Sequence, residues 1–597
     1  MRTNWDSPIE AVQAGWTEIS LRRPFAAWAI WKRVSLLHPE NGAAAEAIEL
    51  LKNAVELPAV ARTFPTLIEP TNDDRRRRWN SAFEERTLDD PAAAEATFAD
   101  LARRDADDSS ALFNQAICLA WMGENRRAIE VLDRFVSVEI ATGGDWKTSR
   151  ERAVKAWRIA EVLRQGAGAE PLCDDLSHAI VVDIGRRGRV EMQHDYVKRL
   201  LGFMGELTPI RPAESTSNAE STLEKANVFE LRRRASNDRS PDLPPDVKDL
   251  SRVIASIVFT PEFVRMSSPD PRGIDELESI WSEIAPEGVI REATPLPPPL
   301  WDAAIWTFRL PADIARDHPE HARLVRAAVE SWFENVWITL PRHGLGEKSP
   351  RRAAAFIERG DREVEARLAA IVDVREQLGR RPSTALLYQG YPFDRLRRRL
   401  GLPLDDPETV DREDLACASG SELDRLEIAS LTDSRLIDAF ESSLALGDDS
   451  RSARFAEAAL ARPRPADRAI SPLELIAPIV RNAIDSEGVD AAIGTIENLV
   501  ERSSWIGSKC ESTLAIWRGE LHARAGRIAE AFDLFQNTLM LEPDAATAFE
   551  AAASLSATSP YSSETERIVD LAERPARESA NDLVSARIEA LRRRLDL

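Results

Sequence analysis

Four cysteines in 597 residues, Cys118, Cys173, Cys417 and Cys510, are too few and too far apart for a disulfide framework, and no two form a CxxC pair. Long apolar runs are missing as well. Nothing approaches the roughly 18 consecutive apolar residues that mark a membrane span, and the opening MRTNWDSPIE lacks the apolar core of a secretion signal. Positive charge is in deficit: 78 Lys and Arg against 100 Asp and Glu leave a net charge of −22. That sign disfavours general attraction to nucleic acid and anionic membranes. Catalytic signatures are absent too. There is no GxSxG elbow, no P-loop, no GxGxxG after a strand and no HExxH. The expectation is a cytoplasmic protein that is not an enzyme, with no cofactor, no metal site and no nucleic-acid or membrane partner.

What the chain does contain is helical periodicity punctuated by small residues. From Leu112 to Ala120 the apolar positions follow one helix face. Gly123-Glu124-Asn125 interrupts the run, and Ala128, Ile129, Leu132, Phe135 and Val136 resume it. Two helices joined so tightly run antiparallel, and small side chains where they cross let the backbones approach. Ala116 and Ala128 meet that need here, and Gly519 and Ala531 meet it in AIWRGELHARAGRIAEAFDLFQNTLMLEP, residues 515–543. Gly15, Ala27, Trp31 and Pro39 repeat the spacing of Gly519, Ala531, Phe535 and Pro543. Ala94 and Ala128 lie one unit apart, and Ala453, Ala492 and Ala531 recur at a longer interval. Ser7-Pro8 and Asp90-Pro91 have the cap-then-proline order of helix starts. Ser471 to Glu474 has capping-box spacing.

This order of small residues, turn glycine, bulky ring and closing proline resembles the tetratricopeptide repeat, most closely in residues 515–543. The resemblance implies an all-α solenoid of stacked helix pairs, which binds proteins or peptides along the face lined by the first helix of each pair. Alignment places Phe113, Ile117 and Trp121 on that face in one unit and Glu520 and Arg524 in another. The first group suits an apolar or helical partner, or simply packs between repeats. The second suits charge pairing.

The expected organisation is repeats over 1–165, a connecting segment over 166–206 and a flexible linker over 207–248. A tryptophan-rich, mainly helical middle domain over 249–404 and a second repeat array over 421–597 follow. Ile180-Val181-Val182 with Gly185 and Gly188 fits a short hairpin over 178–192 or a buried helix start. A short helix is expected near 223–234. In the middle, Trp337…Pro341…Gly344-Leu345-Gly346-Glu347-Lys348-Ser349-Pro350 resembles the loop of the toxin-binding domain of some bacterial antitoxins, with Glu347 and Ser349 in place of a glycine and a threonine. It reads as a structural corner or a partner loop.

Basic runs at Arg75–Arg78, Arg232–Arg234 and Arg397–Arg399 read as phosphate contacts or solvated helix faces. His318-Pro319-Glu320-His321 reads as a helix cap rather than zinc ligands, and Cys417 to Ser421 as a turn rather than a nucleophile. A protein-binding scaffold is the first functional expectation. A regulator whose middle domain binds a toxin-like enzyme is the alternative, and a hydrolase with an unfamiliar site the third.

Overall fold

Helix pairs held by glycine-on-ring crossings recur at both ends of the chain. The computed structural model describes residues 5–70, 73–83, 88–142 and 144–169. It also describes seven strands and residues 274–275 and 277–279 between 178 and 309, and 319–597 apart from 383–384, 389, 465–469, 504, 542 and 579–581. Outside these residues lie the hairpin's return leg over 184–192, most of the linker over 207–248, the proline run over 294–299, Cys173, His318, Trp281, Trp301 and Trp306. The chain divides into two compact units, Met1–Asp175 with Val336–Val410, and Leu176–Asn335 with Asp411–Leu597. The segment 249–404, expected as one middle domain, is therefore shared between the two.

In the first unit, helices Pro8–Ser20 and Pro24–Leu37 open the N-terminal array. Ser7 accepts from the Glu10 amide and proline follows at the first turn, as the cap-then-proline order predicts. A Cβ on Gly15 would lie 2.1 Å from Trp31 Nε1, so only glycine admits the ring. Trp31 is fully buried and donates from Nε1 to the Val12 carbonyl at 3.1 Å. Helices Pro91–Arg104, Ser109–Trp121, Asn125–Thr142 and Trp146–Ala167 continue the array. Ala116 and Ala128 are completely buried, and Phe113 meets Phe135 edge-on at 5.2 Å. Helix Arg362–Gly379 packs against Trp146–Ala167, which is why the stretch after Val336 belongs with the N-terminal helices.

The Trp337 loop is built around a buried ring and leaves Pro341, His343, Gly346 and Glu347 exposed. Trp337 is fully buried, and the Arg342 guanidinium lies over its ring at 4.5 Å while donating to the Trp337 carbonyl at 3.1 Å. Gly346 and Glu347 both have φ of 61°, and Ser349 caps helix Pro350–Ile357.

In the second unit, the helix pairs are Asp433–Leu446 with Asp449–Leu460, Pro472–Glu487 with Val489–Arg502, Ser508–Arg524 with Ile528–Leu541, and Ala545–Thr558 with Ser563–Glu578. Asp582–Leu595 closes the row. Ser508–Arg524 touches Ala545–Thr558, which touches Asp582–Leu595, while Ile528–Leu541 touches Ser563–Glu578. From Ser508 onward, first helices neighbour first helices and second helices neighbour second helices, the arrangement of a stacked tetratricopeptide-like solenoid. Ala453, Ala492 and Ala531 occupy the second helix of successive pairs, all buried. A Cβ on Gly519 would come within 2.4 Å of the Phe535 ring. Ser471 does begin a helix, but its side chain makes no cap bond; its carbonyl takes the Glu474 amide instead. The capping box forms at Ser419 and Glu422, which explains the serine-rich stretch after Cys417.

Strands form the rest of the second unit: β1 (His178–Asp183), β2 (Glu206–Pro209), β3 (Asn227–Arg233), β4 (Ser251–Phe259), β5 (Phe263–Ser268), β6 (Val289–Ile290) and β7 (Phe308–Arg309). They pair in the order β2-β3-β4-β5-β1-β6, with β7 on one end of β4. β1 falls where a hairpin was expected, but its described partners are β5 and β6. β3 takes the place of the short helix expected near 223–234. Its Leu231 is buried with Ala255, Ile257 and Phe259, which alternate along β4 toward one core. Within 249–404 the described residues before Pro319 are thus mostly strand, and helix dominates from Pro319 onward.

Candidate functional site

The two faces expected to meet partners have opposite fates. Helix Ser109–Trp121 carries no charged residue, and every one of its residues is buried. A segment of the same chain that is neither helix nor strand, Phe64 to Pro70, lies against it. Asn114 accepts from the Ile68 amide at 2.7 Å and donates to the Ile68 carbonyl at 2.9 Å. Phe64 stacks on Trp121 at 5.4 Å with the rings 9° apart, and its other neighbour is Trp28 at 6.1 Å. Trp28 in turn donates to the Ala61 carbonyl at 2.9 Å. Phe113 and Ile117 are 0% exposed and Trp121 5%. These three are therefore core and do not form an accessible groove; the Phe64 to Pro70 strap meets this helix at Asn114 and Trp121, while Phe113 packs on Phe135. Asn114 was the overlooked residue. An amide inside an apolar helix must find partners when buried, and here it found a backbone.

Glu520 and Arg524 stand differently. Helix Ser508–Arg524 is used on two sides: Leu514 and Leu521 enter the core toward residue 415, and Ile516 and Ala523 the core toward residue 595. Between these stripes Glu520 is half-buried and Arg524 is exposed. The next first helix presents Glu550. Burial pushes the Glu520 carboxyl above its ordinary pKa; the Glu550 charge adds to the rise and Arg524 partly offsets it. Burial also raises Glu550, reinforced by Asp544 and opposed by Arg587. Arg587 lies over the Phe549 ring at 4.2 Å. His522 on the same helix is lowered, first by burial and then by Arg527, whose Nε donates to His522 Nδ1 at 3.0 Å. The result is an open face on which the Glu550 charge of the next helix pair disfavours a charged Glu520. Such a face gains from an incoming cation.

A second cluster surrounds Arg397. The run Arg397–Arg399 is neither solvated nor a phosphate contact, because all three residues are buried. Arg397 Nη2 reaches Asp373 at 2.6 Å, Glu376 at 2.5 Å and Asp405 at 3.0 Å, while Nη1 reaches Asp394 at 3.1 Å. Asp373, Glu376 and Asp405 have carboxylate oxygens close enough together to hold a metal ion. The guanidinium already stands among them as their cation. Burial alone would weaken the Arg397 charge, but Glu376 and Asp373 outweigh it and hold its pKa above the ordinary value.

Other motifs resolve into structure. Arg75 pairs with Asp105, Arg76 with Asp73, and Arg77 with Asp74. Cys118 is buried, and burial with the Glu95 charge pushes its thiol up to about 12, far from a reactive thiolate. Among the described residues, no helix is long and apolar enough to cross a membrane.

No protein-family profile matches the sequence, and no curated protein matches it. Among solved structures, the P58(IPK) TPR domain aligns with 88% of this chain and 98% of its own, at 10% identity and a TM-score of 0.17. The APC/C hetero-tetramer Cut9-Hcn1 aligns over 95% and 96%, at 12% identity and a TM-score of 0.20. Scores this low carry no argument about shape or role, so the fold assignment rests on the crossings and contacts given above.

Proposed function

We propose that this protein is a protein-binding scaffold, and that the face shared by helices Ser508–Arg524 and Ala545–Thr558 takes an extended partner segment carrying lysine or arginine. The observation that carries the reading is the pair Glu520 and Glu550, each held above its ordinary pKa by burial, with Glu550 adding to the rise at Glu520. A cation placed between them relieves that repulsion and recovers part of the desolvation cost. The N-terminal array offers a precedent for a non-helical segment as the ligand. There a first-helix face holds a loop segment of the chain through one asparagine and one stacked ring.

The test is a positional-scanning peptide array against the full chain and its Glu520→Gln/Glu550→Gln variant. A preference for Lys or Arg in at least one position is expected, with about tenfold weaker binding in the variant, equivalent to ~1.4 kcal/mol. Binding with no charge preference, or binding untouched by the double change, would sink the assignment of this face. A regulator of a toxin-like enzyme and a hydrolase gain no supporting observation, since Trp337 is spent on its own corner.

A further inference from the structure

A cleft of about 290 Å³ opens in the first unit beside the Arg397 cluster. Its walls come from the end of helix Arg362–Gly379, the turn through Tyr391 and the loop through Asp406. At the lower end of ligand-pocket sizes, roughly 300–1,000 Å³, it suits a single head group.

Three rings form one side. Tyr391 meets Phe393 edge-on at 5.2 Å, and Tyr388 lies 6.1 Å from Phe393. Gly379 lets them close on the helix: a Cβ there would stand 3.0 Å from the Tyr388 ring and 3.3 Å from Phe393. Carboxylates form the other side. Glu376, Asp394, Asp405 and Asp406 line the cleft, and Arg380 is the one cation on its wall. Arg380 is paired with Glu376, and Arg397 lies behind, engaged with Glu376, Asp394 and Asp405. Asp394 is saturated, taking the amides of Asp405 and Asp406 as well. Asp405 gives one oxygen to Arg397, and Asp406 gives one to the Glu408 amide. The second oxygen of each has no hydrogen-bond partner among the described residues.

Four carboxylates against two guanidiniums leave the cleft negative, which repels anions. For a bare metal ion, Glu376 and Asp405 are already engaged by Arg380 and Arg397, and the rings add no ligand beyond the phenols. A neutral apolar guest would desolvate the carboxylates and return nothing. A positive head with an apolar surface satisfies both walls at once, through ring faces and through charge. We propose that this cleft is a binding site for an organic ammonium group, either a lysine side chain or a quaternary amine.

The experiment is calorimetric titration of the full chain with choline, with N-acetyl-lysine amide and with 3,3-dimethylbutanol, the neutral isostere of choline. Saturable binding is expected for at least one ammonium probe, and the tighter of the two identifies the source. The isostere should bind about tenfold more weakly or not at all. Tyr391→Leu keeps apolar volume but removes the ring and should weaken binding about three- to tenfold. Asp406→Asn keeps the cap to Glu408 and should weaken it about threefold, whereas Arg380→Ala removes the competing cation and should tighten it. Thermal melts of the three variants separate a lost site from a lost fold. Equal affinity for choline and its isostere overturns the proposal. So does the absence of saturation by either ammonium probe at concentrations on the order of 10 mM.

Discussion

Helices Ser109–Trp121 and Ser508–Arg524 are each the first member of a pair, each crossing a second helix at a fully buried alanine, Ala128 or Ala531. They differ in what lies over the opposite face. The N-terminal helix has only uncharged residues there, and the strap from Phe64 to Pro70 covers it. The C-terminal helix carries Glu520 and Arg524, one turn apart, and keeps that face open. The crossing builds the array, whereas the opposite stripe decides whether a face is core or surface. An uncharged helix with Phe113, Ile117 and Trp121 demands cover on every side, from Phe135 as well as from the strap, because burying each large side chain yields about 1.5–3 kcal/mol. A charged stripe needs none.

The sharpest way to break this contrast is Asn114→Ala. It strands the amide and carbonyl of half-buried Ile68, where water can partly replace the lost partner, so a loss of roughly 1–3 kcal/mol is expected. Denaturant melts measure it, and limited proteolysis should find a new cut within the strap. An unchanged midpoint with an uncut strap would show that the cover is incidental. Next come the crossings the two arrays share. Gly15→Val and Gly519→Val both drive a side chain into a ring, and each should cost about 1–3 kcal/mol by overpacking. A loss at one site alone would mean the two pairs are not built alike.

The open face is tested by pH. Desolvation disfavours the charged form of Glu520 and shifts Glu550 the same way. Because their pKa values are raised in the folded protein, stability grows as the pH falls through those raised values, and the gain is complete below the ordinary carboxyl range. In Glu520→Gln/Glu550→Gln this part of the pH dependence should vanish while stability at pH 7 holds or rises. A steeper pH dependence would contradict the repulsion. The smallest effect is expected at Glu347, a non-glycine residue with φ of 61°. Glu347→Gly should stabilise by up to about 1 kcal/mol, read from the melting curve.

The crossings were legible in the sequence because they are local: Gly519, Ala531 and Phe535 fix one another within 17 residues, as do Gly15, Ala27 and Trp31. The covered face was not, because Asn114 and Ile68 are 46 residues apart and the contact is to backbone, which has no sequence signature. β3 was hidden by Arg232 and Arg233, which read as a polar helix until β4 supplied a partner. The Arg397 run misled for a related reason. Its carboxylates come from residues 373–376, 394 and 405, so burial became visible only once those segments met. The alignment did place Glu520 and Arg524 on a helix face left open, but Glu550, the neighbour that gives Glu520 its electrostatic character, lies on the next helix pair.

Asn114 holds its guest by main-chain atoms alone, and every residue but proline offers the same pair. The hold is therefore indifferent to which side chains the strap displays at Thr66, Leu67 and Glu69, provided an aromatic plane precedes them by the interval that Phe64 keeps. Foreign sequences could be written into those positions, turning a piece of internal scaffolding into a display loop.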